Sequence, residues 1–209
     1  MGETGSTSGF MSAIAWPLTI ETERLILRSH QPSDYDAWRA GFAGRLPQQS
    51  PYDEGPVDLA GCDADWFVGL CERHHAQASR DDAYIFGVFS RLTHQQLGHV
   101  DLATLQREEK QWANLGYSIH NQHWRQGFGQ EAVSAALKAG FETLGYHRIE
   151  AAINLDNHAS IALAQAVGLQ RECLRRGFYY EDDQWVDHLI YVALPTDLGL
   201  REKPPEIAL

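Results

Sequence analysis

The chain has 209 residues, 44% of them hydrophobic, with 17 basic residues against 28 acidic ones for a formal charge of −11. That length suits one compact domain, and no apolar run approaches the roughly 20 residues that span a bilayer. The acidic balance argues against nucleic acid as the main partner, because such a surface repels phosphates at long range, and it suits a cationic or amine-bearing substrate.

The first 17 residues lack the basic n-region and long apolar core of a signal peptide. Cys62, Cys71 and Cys173 make an odd count without metal-ligand spacing. The expectation is a cytoplasmic protein with reduced thiols, no metal site and no membrane partner. Residues 1–18 are expected to form a flexible extension, 19–195 the folded domain and 196–209 a peripheral tail.

Thr22 to Arg28 (TERLILR) reads as a strand, with Leu25 and Leu27 on one face. Pro32-Ser33-Asp34 then starts a helix carrying Tyr35, Trp38 and Phe42 at helical spacing. Residues 46–61 hold three prolines and two glycines, the composition of a loop long enough to line a site. Asp63 to Gln77 has helical spacing through Trp66 and Leu70. The adjacent His74-His75 pair has no third ligand in view, so a metal site is rejected there. Tyr84–Ser90, Gln96–Leu105 and Gln111–His120 follow with short connections, which predicts an antiparallel meander.

The pattern then changes. Phe128 to Leu144 repeats its apolar residues at helical spacing and stops before Gly145, a natural helix-ending glycine. Arg148–Asn154 alternates as a strand, 158–167 forms a shorter helix closed by Gly168, and Cys173–Tyr180 with Trp185–Leu194 forms a hairpin around Glu181-Asp182-Asp183. The predicted class is α+β, a mixed sheet with one parallel crossover.

The most informative stretch is residues 115–132, LGYSIHNQHWRQGFGQEA, where a strand passes through a polar loop into a helix at Gly127-Phe128-Gly129. Consecutive backbone N–H groups at the positive end of a helix dipole, unobstructed by Cβ atoms, make an anion site suited to phosphate. GFGQEA formally satisfies the dinucleotide fingerprint, and Glu150 lies about 20 residues on. The context fails, however: the motif follows a meander instead of opening a series of crossovers. A Walker loop is excluded because no Gly-Lys-Ser/Thr is present.

Together, TERLILR, GYSIHNQHWRQGFGQEA and NLDNHASIALAQAVGL resemble the GNAT superfamily of acyl-CoA N-acyltransferases, within it the RimJ/RimL-like branch, over about residues 20–194. The resemblance implies a mostly antiparallel twisted sheet with a splayed parallel pair, flanked by helices. It also implies acetyl-CoA as donor and direct acetyl transfer to a primary amine through a tetrahedral intermediate. The acceptor would be a protein N-terminal α-amine or a small-molecule amine. The alternative is a CoA-binding regulatory module of the same fold with little turnover. A homodimer through the last strands is compatible with the resemblance and not required by the sequence.

Carried onto this chain, the resemblance assigns the pyrophosphate to Arg125, Gln126, Gly127, Phe128, Gly129 and Gln130, with Trp124 as packing. The pantetheine arm falls to the strand edge at Ser118, Ile119 and His120, with the backbone of Ile119 favoured. Asn157 is expected as a cofactor contact, a helix N-cap, or both. Ser160 is expected to protonate the departing thiolate. His99 and Asp101 project to one face of the GHVDLATL strand, and Asp101 is the candidate base or substrate anchor if burial raises its pKa. Phe178 stands near the position where some relatives carry a glutamate, and Asp187 is expected to be structural or an edge of the acceptor pocket. The 46–61 loop and the terminal hairpin are expected to face the acceptor.

Overall fold

The strands are β1 (Thr19–Glu21), β2 (Leu25–Arg28), β3 (Ala83–Ser90), β4 (Gln96–Gln106), β5 (Trp112–Ile119), β6 (Arg148–Asn154), β7 (Gln170–Glu181) and β8 (Gln184–Ala193). The helices are α1 (Tyr35–Ala43), α2 (Ala64–Ser79), α3 (Phe128–Glu142) and α4 (His158–Ala166). In this computed structural model, which describes residues 16–205, the strands form one sheet in the order β1-β2-β3-β4-β5-β6-β8-β7. Every neighbouring pair is antiparallel except β5 and β6. That parallel pair holds over Trp112↔Arg148, Ala113↔Ile149 and Asn114↔Glu150 and then opens. Beyond Asn114 the two strands diverge, and the facing edge of β5 has no sheet partner.

Two helical layers cover the sheet. Ala132, Val133, Ala136, Leu137 and Phe141 of α3 pack with Leu25, Leu27, Val100 and Leu102 in the main core. Strand alternation turns the intervening residues to the opposite face, where α1 and α2 build a smaller aromatic cluster around Trp38 and Phe67. Asp63 caps α2 by accepting from Trp66 N at 2.9 Å, as the sequence pattern implies. Gly145 follows α3 with φ of 73°, and Tyr146 N bonds back to Gly140 O at 3.0 Å. That is how a left-handed glycine ends a helix. The β7–β8 turn uses Asp182 and Asp183, both at positive φ, the backbone pattern of a tight hairpin turn.

Three boundaries differ from expectation. Thr19–Glu21 is a separate edge strand, because the chain turns at Thr22, whose N–H bonds to Leu25 O. Trp16 and Leu18 were expected in a flexible extension but pack on the main core, Trp16 edge-on to Tyr84 and Phe86. The rest of that expectation concerns residues 1–15, which lie outside the described residues. At the other end, Leu198 and Leu200 also pack on the core, and Gln170 Nε2 donates to Asp197 at 2.6 Å. These partly buried leucines make the start of the tail part of the domain.

Candidate active site

The divergence of β5 from β6 creates two adjoining spaces. On the α3–α4 side lies a groove of about 500 Å³, walled by the loop after β5, the first turn of α3 and the start of α4. A crevice of about 270 Å³ lies between the diverging strands, with Gly116, Asn154, Glu181 and His188 in its wall. Tyr117 and Ser160 line both spaces.

The anion loop has the expected form. Arg125 and Gly127 both take left-handed backbone conformations, φ 60° and 80°, which swing the chain into α3. The first intrahelical bond runs from Glu131 N to Gly127 O at 3.1 Å. The N–H groups of Phe128, Gly129 and Gln130 are therefore left at the helix N-terminus, as the first turn of any helix requires. A Cβ on Gly129 would stand 3.3 Å from Leu163 Cδ2, so glycine there keeps α3 and α4 close. Trp124 packs as expected, and its Nε1 donates to Ile119 O at 2.6 Å.

Arg24 supplies a connection that the motifs did not reveal. Its Nε donates to Glu131 Oε2 at 2.6 Å and its Nη1 to Gln126 O at 2.9 Å, while its guanidinium lies 4.7 Å from the Phe128 ring centroid. Thr22 Oγ1 and Arg24 N also donate to Glu131 Oε1. Burial pushes the Glu131 carboxyl up, but these hydrogen bonds hold it below its ordinary pKa. The T-x-R of the first strand segment and the Glu of GFGQEA are thus halves of one clamp on the loop.

Ser118, Ile119, Arg125, Gly127, Phe128, Gly129, Gln130, Asn157 and Ser160 all line the groove. Two expected residues do not. Gln126 lies outside the wall, with its carbonyl taken by Arg24. His120 is only 2% exposed, its ring 4.7 Å from that of Phe42. Its N–H bonds to Leu97 O and its carbonyl accepts from His123 N. Being apolar in its surroundings, the pocket under α1 takes the ring out of solvent and pushes its pKa down to about 3. The assignment of His120 to the cofactor is therefore corrected: its backbone is spent within the fold and its side chain is in the core.

Asn157 caps α4, accepting from Ser160 N at 3.1 Å, and also borders the groove, so both of its expected roles are compatible. Ser160 Oγ lies 2.7 Å from Tyr117 Oη. Burial raises the Tyr117 pKa, and the bond to Ser160 partly offsets this. Tyr117 was not singled out in the sequence, where it looked like an ordinary strand aromatic.

Asp101 opposes Gly116 across the β4–β5 ladder. A Cβ at Gly116 would stand 2.8 Å from Asp101 Oδ2, so the carboxyl rests on the bare backbone at the lip of the crevice. Burial raises its pKa, and His99 partly counters the shift. The opposite lip was missed by sequence reasoning. Glu181 Oε1 lies 3.3 Å from His188 Nε2, and Glu181 Oε2 accepts from Asn154 Nδ2 at 2.7 Å. His188 Nδ1 is 3.2 Å from Val186 O. Both ring nitrogens of His188 thus face oxygen atoms, which fix the ring against Glu181. Glu181 lay in the predicted hairpin turn, and only the β7–β8 pairing directs it inward. Phe178 instead packs beneath Arg175. Asp187 accepts from Gly177 N at 2.7 Å where the β7 register shifts, the structural role expected of it.

The 46–61 loop was expected to face the acceptor; its Gln49, Ser50 and Tyr52 stand instead in the wall of the groove, with Tyr52 Oη bonded to Asp156 ahead of α4. Its base is a buried network. Arg45 pairs with Asp53 at 2.9 Å, and Asn121 bridges Leu46 N, Leu46 O and Asp53 Oδ2. Among the described residues no helix is long and apolar enough to cross a membrane, and no group of three His, Cys, Asp or Glu is arranged to hold a metal.

Comparison with known proteins agrees with this geometry. Residues 24–170 match the family described as Acetyltransferase (GNAT) domain. The N-acetyltransferase YoaA of Bacillus subtilis (strain 168) is 28% identical over 172 residues, 82% of this chain and 94% of the relative. The [ribosomal protein uS5]-alanine N-acetyltransferase of Escherichia coli (strain K12) is 29% identical over 183 residues, 85% and 90% of the two chains. Among solved structures, Mycobacterium smegmatis RimJ in complex with CoA-disulfide superposes with a TM-score of 0.72 at 21% identity, covering 88% of this chain and 90% of that one. The Vibrio fischeri ribosomal-protein-S5-alanine acetyltransferase gives 0.68 at 21% identity, covering 85% and 96%. These two structures share the fold, and the sequence match carries the family: the chain belongs to the GNAT acetyltransferases, in the company of the RimJ/RimL-like enzymes.

Proposed function

We propose that this enzyme transfers an acetyl group from acetyl-CoA to a primary amine, a protein N-terminal α-amine or a small-molecule amine, by direct attack between β5 and β6. The observation that carries this reading is the Tyr117–Ser160 pair, which stands in the wall of both the groove and the crevice. A donor held on one side and an acceptor held on the other would meet there.

The loop fits coenzyme A. Free N–H groups at the start of α3 suit the pyrophosphate, and the edge of β5 that loses its strand partner beyond Asn114 suits a pantetheine amide, with Ile119 O already held by Trp124 Nε1. Bound acetyl-CoA would supply the thioester carbonyl. In this reading Glu181, beside His188, takes a first proton from the ammonium, and the neutral amine attacks the thioester carbonyl, forming the C–N bond in a tetrahedral intermediate. As the intermediate collapses the nitrogen gives up a second proton and the C–S bond breaks; Ser160, replenished from Tyr117, donates a proton to the departing thiolate, so of the two protons lost by nitrogen one is matched at sulfur and one passes to solvent. Asp101, resting on Gly116, supplies negative charge on the acceptor side and acts as a substrate anchor.

Thiol release from acetyl-CoA, followed with peptides bearing free N-termini and with simple primary amines, tests the proposal. Turnover with any of them, reduced at least about a hundredfold by Glu181→Gln, is the expected result. Stabilisation by coenzyme A without turnover on any amine would favour the regulatory-module reading. Turnover unaffected by Glu181→Gln would remove Glu181 from the proton path.

A further inference from the structure

Beside the crevice, on the same face of the sheet, a separate cavity of about 450 Å³ lies between the β3–β4 surface and helices α1 and α2. Its wall includes Asp101, Gln96, His30, His74, Trp38 and Phe42. The sheet-side polar groups are not fully partnered. Gln96 is 3% exposed, yet its Oε1 bonds to nothing, and buried Nδ1 atoms of His30 and His74 also lack partners. Gln96 Nε2 is oriented by Gly98 O at 3.3 Å and by His30 Nε2 at 3.0 Å. The opposite amide orientation would set two oxygens against each other, so Oε1 is an acceptor by necessity. The Asp101 carboxyl is buried, and His99 only partly offsets the effect of that burial. Orphaned buried acceptors of this kind are costly unless a ligand or water completes them.

The geometry points to a second acceptor subsite in this cavity, one that takes a cationic, hydrogen-bond-donating group (an amine or a guanidine) at the remote end of the substrate. The inference rests on the acetyl-transfer reading, since it places the reacting amine in the crevice and the remote cation behind Asp101. Burial pushes His30 and His74 down to about 4, so at neutral pH they are uncharged and do not repel a cation. Trp38 and Phe42 offer ring faces, which attract cations. An anionic group would meet the Asp101 carboxyl and the Gln96 oxygen. The crevice and the cavity are separated by one to two strand spacings, about 5–10 Å, which a short methylene chain spans.

Calorimetric titration of the protein saturated with coenzyme A, where no turnover occurs, tests the subsite with three probes of equal chain length: hexylamine, hexamethylenediamine and aminocaproate. The diamine is expected to bind about tenfold or more tightly than hexylamine, with aminocaproate weakest. His74→Phe and Gln96→Leu, each checked for retained stabilisation by coenzyme A, should bring the diamine down toward hexylamine. Equal affinity for the diamine and hexylamine, no binding of any probe, or a diamine preference that survives in both variants would overturn the subsite. Absence of thiol release from acetyl-CoA with a diamine preference intact would instead overturn acetyl transfer and leave the cation site standing.

Discussion

Tyr117 of β5 and Ser160 of α4 lie 43 positions apart in the chain and share a hydrogen bond of 2.7 Å at the point where β5 leaves β6. The Ser160 backbone N–H is held by the Asn157 cap at 3.1 Å, so the hydroxyl is fixed from both sides. Tyr117 is half-buried, which keeps its proton on at neutral pH and makes it a donor to Ser160. A serine hydroxyl alone is a weak acid, and in the proposed reaction the phenol bonded to it would supply the second proton.

Ser160→Ala should lower kcat by about 10²-fold or more with little change in coenzyme A affinity, because acid assistance is made in the transition state. Tyr117→Phe should give a smaller loss of the same kind. Steady-state kinetics over both substrates check this; an unchanged kcat in Ser160→Ala would remove the hydroxyl from the reaction.

The Arg24–Glu131 clamp leads to a different signature. Glu131→Ala leaves Thr22 Oγ1, Arg24 N and Arg24 Nε without their acceptor. Stability should fall by about 1–3 kcal/mol. Because the loop amides lose their fixed geometry, the KM for acetyl-CoA should rise more than kcat falls. Thermal melts with and without coenzyme A would show the shift due to ligand shrinking as well as the baseline dropping.

The loop over the groove depends on a buried ion pair. Arg45 and Asp53 side chains are 4% and 0% exposed. Burial pushes the Asp53 carboxyl up, but Asn121, the Gln49 and Gly55 amides and Arg45 hold it down at about 2. Asp53→Ala leaves the buried Arg45 guanidinium to the exposed Glu54 at 3.3 Å, and breaking such a buried pair costs about 3–5 kcal/mol. Denaturant titration should show that loss, with coenzyme A binding weakened because Tyr52 and Ser50 are no longer held at the groove.

Acid should destabilise the fold before the carboxylates titrate. Burial lowers His30 and His74 from 6.5 to about 4 and His120 to about 3. Below pH 6.5 the unfolded chain binds protons that the folded chain refuses, so stability is full above that value and falls as pH drops toward 4. Melting temperature between pH 7 and pH 4 measures the slope. His30→Gln, which keeps a polar group without a titrating one, should flatten it; an unaltered slope would exclude His30 as a contributor.

Element by element, the parts with strong local patterns were readable. Arg148–Asn154 was bounded correctly because its alternation has period two, and the Asn157 cap follows from residue chemistry at a helix start. The anion loop was readable for a similar reason, since glycines at a strand-to-helix junction have few other uses. Thr19–Glu21 was missed because three residues carry no usable periodicity. His120 was misassigned because strand alternation does not continue past Ile119: the chain turns into a 3-10 segment there, and the ring drops beneath α1. Glu181 was read as a turn residue and proved to face the crevice.

By itself, the sequence determined the order of elements, the glycine-bearing entry into α3 and the family, because each depends on residues near one another in the chain. Only the tertiary structure decided which groups meet across the divergence of β5 and β6. Tyr117 with Ser160, Asp101 on Gly116, and Glu181 with His188 join four strands and a helix, and their pairing depends on sheet register. A shift of one residue in any of those strands would turn its side chains to the other face, so no local pattern could specify the acceptor side of the site.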